Sequence, residues 1–223
     1  MANKSDHERP ILTIDVVLMT LGPDGLLVGV QEREAEPFAR DMALIGGYVH
    51  VDEDADTLAT ARRVLKQKAG LTGLFCEQLM TFSGPDRDPR GWAATVAYYA
   101  LAPIGLLEAS GREGIVLRPA EKPGRLAFDH NRIVATALAR LRTKGAYSTL
   151  PAFLLPETFT LSELRGVYER VMDVTLNDSA FRRKMDELRI LEPVVGERSR
   201  VSARPAQLYR LRREALQEFD RRI

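Results

Sequence analysis

The sequence predicts an α+β chain in two units, a sheet-and-helix unit followed by a winged helix-turn-helix. Three observations predict it. β-branched apolar runs separated by turn residues fill the first two thirds of the chain, interrupted by two stretches with helical spacing. A proline-bracketed apolar segment, Pro151 to Pro156, then marks a change of pattern. Beyond it come a capped helix, a second helix and a basic hairpin, the element order of a winged helix.

Taken in order, Ile11 to Thr20 (ILTIDVVLMT) reads as a buried strand, and Pro23-Asp24-Gly25 as a turn that returns the chain into a second strand, Leu26 to Gln31. Gly46-Gly47 is expected to break the chain. Asp54 to Ala69 reads as a helix with Leu58, Ala61, Leu65 and Ala69 on one face, and Gly70 can stop it in a left-handed conformation. Cys76 to Phe82 and Ala93 to Leu101 read as strands around the turn-rich loop SGPDRDPRGW. A further helix spans 129–144, with Ile133, Ala137 and Leu141 aligned and Asp129 placed to cap it. In the second unit, Thr160-Leu-Ser-Glu163 is a capping box opening a helix to about Met172. Asn177 or Ser179 can cap the next helix, expected to run to about Leu191 and to be stopped by Pro193. Val194 to Arg210 reads as strand, basic turn, strand, and 212–222 as a short last helix. The expected units are 1–150 and 151–223.

Composition narrows the function classes. The 223 residues are enough to bury a core without staples, and the single cysteine excludes a disulfide framework or thiolate zinc cage. No signal core, targeting pattern or 18-residue uncharged apolar run is present, so a cytoplasmic protein is expected. The net charge of +1 hides an asymmetry. Phe181 to Arg213 holds ten basic residues against four acids, a net +6, and the remainder therefore carries −5. One concentrated cationic surface of this kind points to nucleic acid.

The segment GGYVHVDEDADTLATARRVLKQKAGL resembles a Nudix box, whose family pattern is G-x5-E-x7-R-E-U-x-E-E-x-G-U. With Gly70 and Leu71 as anchor, Arg63 takes the motif arginine and Leu65 the apolar position, and Gly46-Gly47 sits two residues early. The resemblance implies a Nudix-like mixed sheet flanked by helices. It also exposes a departure, because the three helix glutamates fall at Val64, Gln67 and Lys68. Nudix hydrolases hold Mg²⁺ through carboxylates here, a hard cation requires anionic oxygens, and lysine brings a cation instead. Asp52, Glu53, Asp54 and Asp56 are nearby, but early-helix acids commonly serve the helix dipole. Neither a catalytic residue nor a metal site is expected, and the chain is expected not to be an enzyme.

A site that cannot cut can still bind. Asp86-Arg87-Asp88-Pro89-Arg90-Gly91 and Leu126-Ala127-Phe128-Asp129-His130 resemble segments of Nudix proteins that handle ADP-ribose. Arg87 or Arg90 can pair with a pyrophosphate in bidentate fashion, Phe128 can stack on adenine, and Gly46 and Gly47 let phosphate approach the backbone. The alternative is that these arginines pair with Asp86 and Asp88 to pin the loop, with Phe128 in the core. Asp88 and His130 complete the expected pocket, with Arg33 and Arg40 as weaker candidates because surface arginines are common. His7, His50 and His130 do not cluster as metal ligands, Cys76 has no partner for nucleophilic chemistry, and Trp92 is expected to pack.

FTLSELRGVYERVM, NDSAFRRKMDELRILEP and RPAQLYRL resemble the DNA-binding domain of the Nudix-related transcriptional regulators of NAD metabolism, the NrtR family, whose members pair a Nudix-like domain with a winged helix, so that the two halves together resemble the family from about Ile11 to Arg212. In the second helix Phe181, Met185 and Leu188 form the buried stripe, turning Arg182, Arg183 and Lys184 outward toward the major groove. Asn177 and Ser179 can donate to phosphate, Arg198, Arg200 and Arg204 lie in or near the wing, and Pro205 and Tyr209 shape and pack it. The resemblance implies a homodimeric DNA-binding regulator, a repressor of NAD biosynthesis or salvage genes released by ADP-ribose or a related nucleotide sugar, with no cofactor. Two alternatives stay open: an active ADP-ribose pyrophosphatase using Glu53, Asp54 or Asp56, and a regulator of the same architecture serving a sugar pathway.

Overall fold

A computed structural model describes residues 9–111, 114–199, 206–212, 216–220 and 223. Nine strands and five α-helices are described. A six-stranded mixed sheet contains β1 (Ile11–Gly22), β2 (Gly25–Glu32), β3 (Met42–Tyr48), β4 (Phe75–Gly84), β5 (Ala93–Leu101) and β6 (Ile115–Pro119), in the order β4-β5-β1-β3-β2-β6. β1 runs parallel to β5, and the other pairings are antiparallel. The side-chain period of two splits β1 between two cores. Ile14, Val16 and Leu18 pack under α1 (Thr57–Val64), whereas Val17, Met19 and Leu21 pack on the opposite face with α3 (His130–Gly145). A short helix, α2 (Ile104–Ala109), and β6 are additions to the sequence reading.

Several expectations are corrected. Gly46-Gly47 does not break the chain but lies inside β3, opposite Asp15 and Ile14 of β1. The first helix begins at Thr57 rather than Asp54, because the Asp56 carboxylate caps it by accepting from Ala59 N at 2.7 Å. After Val64 it widens into a π-helical turn, Leu65–Ala69, and Gly70 ends it at φ 70° as expected. Asp129 precedes α3, but its side chain does not cap it. Its carboxylate instead accepts from Arg87 at 2.9 Å. Trp92 is half exposed rather than packed.

The remaining elements build the winged helix: α4 (Leu161–Met172), α5 (Asp178–Leu188), β8 (Leu191–Ser199) and β9 (Ala206–Leu211), with β7 (Phe159–Thr160) pairing with β9. The capping box is complete, since Thr160 accepts from Glu163 N and Glu163 accepts from Thr160 N. Such a cap is worth about 1 kcal/mol. The second helix ends earlier than expected. Arg189 takes a left-handed conformation at φ 51° and donates its N–H to the Met185 carbonyl, so Pro193 lies in β8 instead of stopping a helix. The expected last helix is also absent among the described residues. Gln217 to Phe219 run extended against 147–149, through Thr149 N to the Gln217 carbonyl at 2.9 Å and a bridge between Ser148 and Glu218.

α4 joins the two halves. Val167 and Val171 pack into the core shared with α3, while Leu164 and Tyr168 pack with Phe181, Met185 and Phe219. The Tyr168 hydroxyl donates to the Ser148 carbonyl at 2.7 Å, and Arg170 donates to the Gly22 carbonyl at 3.1 Å. The segment expected to separate the units is a 3₁₀ turn, Leu150–Leu154, whose leucines are buried at both ends. No described helix is long and apolar enough to cross a membrane.

Candidate functional site

One cavity of about 350 Å³ collects residues from three strands and four of the segments that connect or follow them. Its walls come from β1 (Thr13, Asp15), β2 and the turn after it (Gln31, Arg33, Ala35, Glu36), β3 (Leu44, Gly46, Gly47, Tyr48), the π-helical turn (Lys68), the loop after β4 (Arg87, Asp88, Arg90), and Phe128 with His130. All eight residues expected to form the pocket line it: Arg33, Gly46, Gly47, Arg87, Asp88, Arg90, Phe128 and His130. Arg40 is not among the lining residues. The volume falls in the ordinary range for small-molecule sites.

Asp15, which sequence reasoning missed, sits at the base. Its carboxylate lies 3.4 Å from Arg87 and 3.6 Å from His130 Nε2. Burial alone would raise its pKa, but His130 and Arg87 outweigh that and hold it below the ordinary carboxylate value. His130 Nδ1 accepts from Leu44 N at 3.0 Å, which leaves the ring proton on Nε2, toward Asp15. The signal was present, since Asp15 is the one charged residue in ILTIDVVLMT.

The loop arginines divide their work. The Arg87 side chain is 7% exposed and bridges Asp129 and Asp15. Arg90 forks onto Asp88 at 3.0 and 2.7 Å and donates to the Tyr48 hydroxyl at 2.6 Å. These hydrogen bonds draw the Asp88 pKa down and push the Arg90 pKa up. Loop-pinning therefore describes part of what both arginines do, with Asp129 replacing Asp86 as the partner of Arg87. Phe128 is half-buried, not fully in the core. It meets Phe38 edge-on at 4.8 Å, and the Arg33 guanidinium lies over its ring at 4.7 Å. Phe38 and Phe128 are both left-handed, at φ 65° and 54°, a conformation that costs free energy in large side chains and clusters at binding sites.

The Nudix helix holds no metal-binding set. Val64 is buried beside Gly47, and the Gln67 amide oxygen accepts from Arg63 at 3.2 Å. The Lys68 ammonium donates to the Gly46 carbonyl at 2.6 Å. The acids available for a migrated site are engaged elsewhere. Asp54 accepts two hydrogen bonds from Arg63, at 2.8 and 2.7 Å, and others from Thr60 and His50 N, which hold it well below the usual carboxylate range. Asp56 caps α1, and Glu53 faces solvent beside His50. Among the described residues no three His, Cys, Asp or Glu side chains come together as a metal-holding group. The residues present therefore do not fit Mg²⁺. Arg63, which also donates to the Tyr48 carbonyl at 2.9 Å, staples the loop rather than contacting the cavity. Cys76 is half-buried, and burial pushes its thiol up to about 12.

In the winged helix, Phe181 and Met185 are buried, Arg182 and Arg183 are exposed, and Lys184 is half-buried. Arg183 lies 4.0 Å from Glu187. Asn177 is the cap of α5, accepting from Ala180 N at 3.0 Å, and Ser179 is exposed in its first turn. Tyr209 packs into the small core as expected. Arg198 stands opposite Gln207 in the β8–β9 ladder. Its side chain, and His7, Arg200, Arg204 and Pro205 altogether, lie outside the described residues.

A Nudix-type pocket carried on the same chain as a winged helix defines a ligand-responsive, DNA-binding transcriptional regulator. The comparisons with known proteins agree. The model of the NrtR DNA-binding winged helix domain matches residues 151–211. The chain is 36% identical to the "ADPR responsive transcriptional repressor NtrR" of Acinetobacter baylyi over 223 residues, covering 97% of this chain and 87% of the relative. It also resembles Shewanella oneidensis NrtR solved with a 27mer DNA, at TM-score 0.87 and 31% identity, covering 95% of this chain and 99% of that one. The NUDIX domain of that Shewanella protein, solved with ADP ribose, matches 63% of this chain and 94% of its own at TM-score 0.54 and 28% identity. The chain belongs to the NrtR family.

Proposed function

We propose that this chain is a repressor in which residues 1–150 bind ADP-ribose and residues 151–223 bind an operator, with ADP-ribose releasing the DNA. The observation that carries the reading is the cavity itself. It combines cationic side chains with an aromatic ring at Phe128, groups that can pair with a diphosphate and stack on an adenine, whereas the space beside Gly46 and Gly47, expected to admit phosphate, is taken by Asp15 and Val64. The A. baylyi relative is named as ADPR-responsive, and the Shewanella domain was solved with ADP ribose, which supports the choice of effector. The controlled genes are those of NAD biosynthesis or salvage, and the protein acts in the cytoplasm as a homodimer, without a cofactor.

On this reading the protein is not a hydrolase. Pyrophosphate attack in a Nudix site relies on a metal held by carboxylates, and positions 64, 67 and 68 offer valine, glutamine and lysine. Release of DNA follows from linkage, because ADP-ribose weakens operator binding only by preferring a conformation that fits DNA poorly. α4 is placed to carry that preference, since it packs against both units. In a dimer, small rotations change the spacing of two recognition helices, which must match half-sites about 34–36 Å apart.

The test is a gel shift on DNA upstream of the neighbouring genes, titrated with ADP-ribose or NAD at fixed salt. A parallel incubation contains ADP-ribose and Mg²⁺. The expected result is dissociation by ADP-ribose, a weaker response to NAD and intact ADP-ribose in the parallel sample. Robust turnover lost on mutating Glu53, Asp54 or Asp56 would instead establish a pyrophosphatase.

A further inference from the structure

The cationic residues of the cavity are not equivalent. Arg87 is neutralised by Asp129 and Asp15, and Arg90 by Asp88. Arg33 and Lys68 differ, because among the described residues neither has a carboxylate at ion-pair distance. Arg33 donates to the carbonyls of Pro37 at 2.9 Å and Ala35 at 3.1 Å, and Lys68 donates to that of Gly46. Carbonyls satisfy hydrogen bonds but leave both positive charges without a directly paired carboxylate among the described residues.

Lys68 also occupies a telling place in the motif. It stands where the Nudix pattern has a glutamate, and its ammonium is anchored on β3 through the Gly46 carbonyl. Partial burial, and after it the like charge of Arg33, lower the Lys68 pKa, with Asp15 and Glu34 offsetting this only in part. Two cations that line one cavity with no carboxylate at ion-pair distance among the described residues form an arrangement that a doubly charged ligand relieves.

We infer that Lys68 replaces the divalent cation of a Nudix site, its ammonium neutralising the diphosphate of the bound nucleotide so that binding needs no metal. An ammonium supplies charge to a diphosphate, but it does not lower the pKa of a bound water or template attack on phosphorus as a metal does. The same substitution thus keeps affinity and removes cutting. Arg33, lying over Phe128, is the second cation of the pair. This inference rests on the ADP-ribose reading above.

Calorimetric titration of the full chain with ADP-ribose, in EDTA and in Mg²⁺, tests both. The proteins are the natural chain, Lys68→Met and Lys68→Arg, each with its melting temperature recorded. The expected result is equal affinity in EDTA and Mg²⁺ for the natural chain. Lys68→Met should bind at least about tenfold more weakly at an unchanged melting temperature, the scale of one charged hydrogen bond. Lys68→Arg should keep most of the affinity. A strict Mg²⁺ requirement, or Lys68→Met binding as well as the natural chain, overturns the role of Lys68 alone. Failure of the natural chain to bind ADP-ribose in either buffer overturns the effector reading and this inference with it.

Discussion

Asp15 and Gly46 face each other across the β1–β3 ladder, and the Asp15 carboxylate fills the space that a side chain on Gly46 would need. A Cβ there would stand 2.3 Å from Asp15 Oδ1 and 2.8 Å from the Ile14 carbonyl. The bare backbone at 46 therefore lets a buried acid sit beneath the cavity, where the Gly46 carbonyl also anchors Lys68.

Gly46→Ala should destabilise the protein by roughly 1–3 kcal/mol, the usual penalty for overpacking, and weaken ADP-ribose binding. Gly47→Ala should cost less, because its Cβ meets only Val64 Cγ2, at 3.2 Å. Urea denaturation of the two variants checks the order, and equal stability would remove the Asp15 contact as the reason for glycine.

The Asp54–Arg63 pair predicts a pH signature. Asp54 has a folded pKa below its unfolded value of about 4. Its contribution is fully present above that unfolded value and is lost as pH falls below it toward the folded pKa. Asp54→Asn should lower the melting temperature at pH 7, and the gap to the natural chain should shrink at pH 3. A gap that stays constant would contradict the ion-pair account.

At the DNA-binding helix, capping and contact separate cleanly. Asn177→Asp should keep the α5 cap, since a carboxylate accepts from Ala180 N equally well, yet place a negative charge against the DNA backbone. Its melting temperature should hold while operator affinity falls. Arg183→Ala should weaken operator binding by roughly 1–3 kcal/mol, with relaxed specificity at one base position. A uniform loss across sequences with a shallower salt slope would assign Arg183 to phosphate instead. Fluorescence anisotropy on operator and scrambled duplexes measures both.

The extended segment after the wing makes a structural prediction. Phe219 is 8% exposed and packs with Tyr168, Phe181 and Met185. Phe219→Ala should cost about 3 kcal/mol or more, as large aromatic truncations in cores do. Thermal unfolding followed by circular dichroism checks it, and a loss under 1 kcal/mol would show that the segment does not hold the winged helix in place.

What the sequence made legible was local. The Thr160 capping box, the left-handed stop at Gly70, the stripe of Phe181 and Met185, and the β-branched run of β1 each announce themselves within one element. What escaped depends on partners far along the chain. Gly46-Gly47 reads as a break until Asp15 is seen opposite. Asp129 reads as a cap until Arg87 claims its carboxylate. The stop at Arg189 carries no glycine to mark it, and 216–220 has helical composition but is drawn out by pairing with 147–149. The eight expected pocket residues line the cavity, but Lys68, read only as the loss of a glutamate, went unassigned to it although it lies in the Nudix-like segment. Asp15, Tyr48, Thr13 and Gln31 also escaped, because only strand pairing brings them to the cavity, as did Glu36 in the turn after β2.

Coupling between the cavity and the DNA-binding surface is measured by a linkage cycle with ADP-ribose and operator. Operator affinity is measured by anisotropy with and without saturating ADP-ribose, and ADP-ribose affinity by calorimetry with and without operator, all at one salt concentration. ADP-ribose should weaken operator binding, and operator should weaken ADP-ribose binding by the same factor, as reciprocity requires. Operator affinity that is unchanged at saturating ADP-ribose would contradict the account.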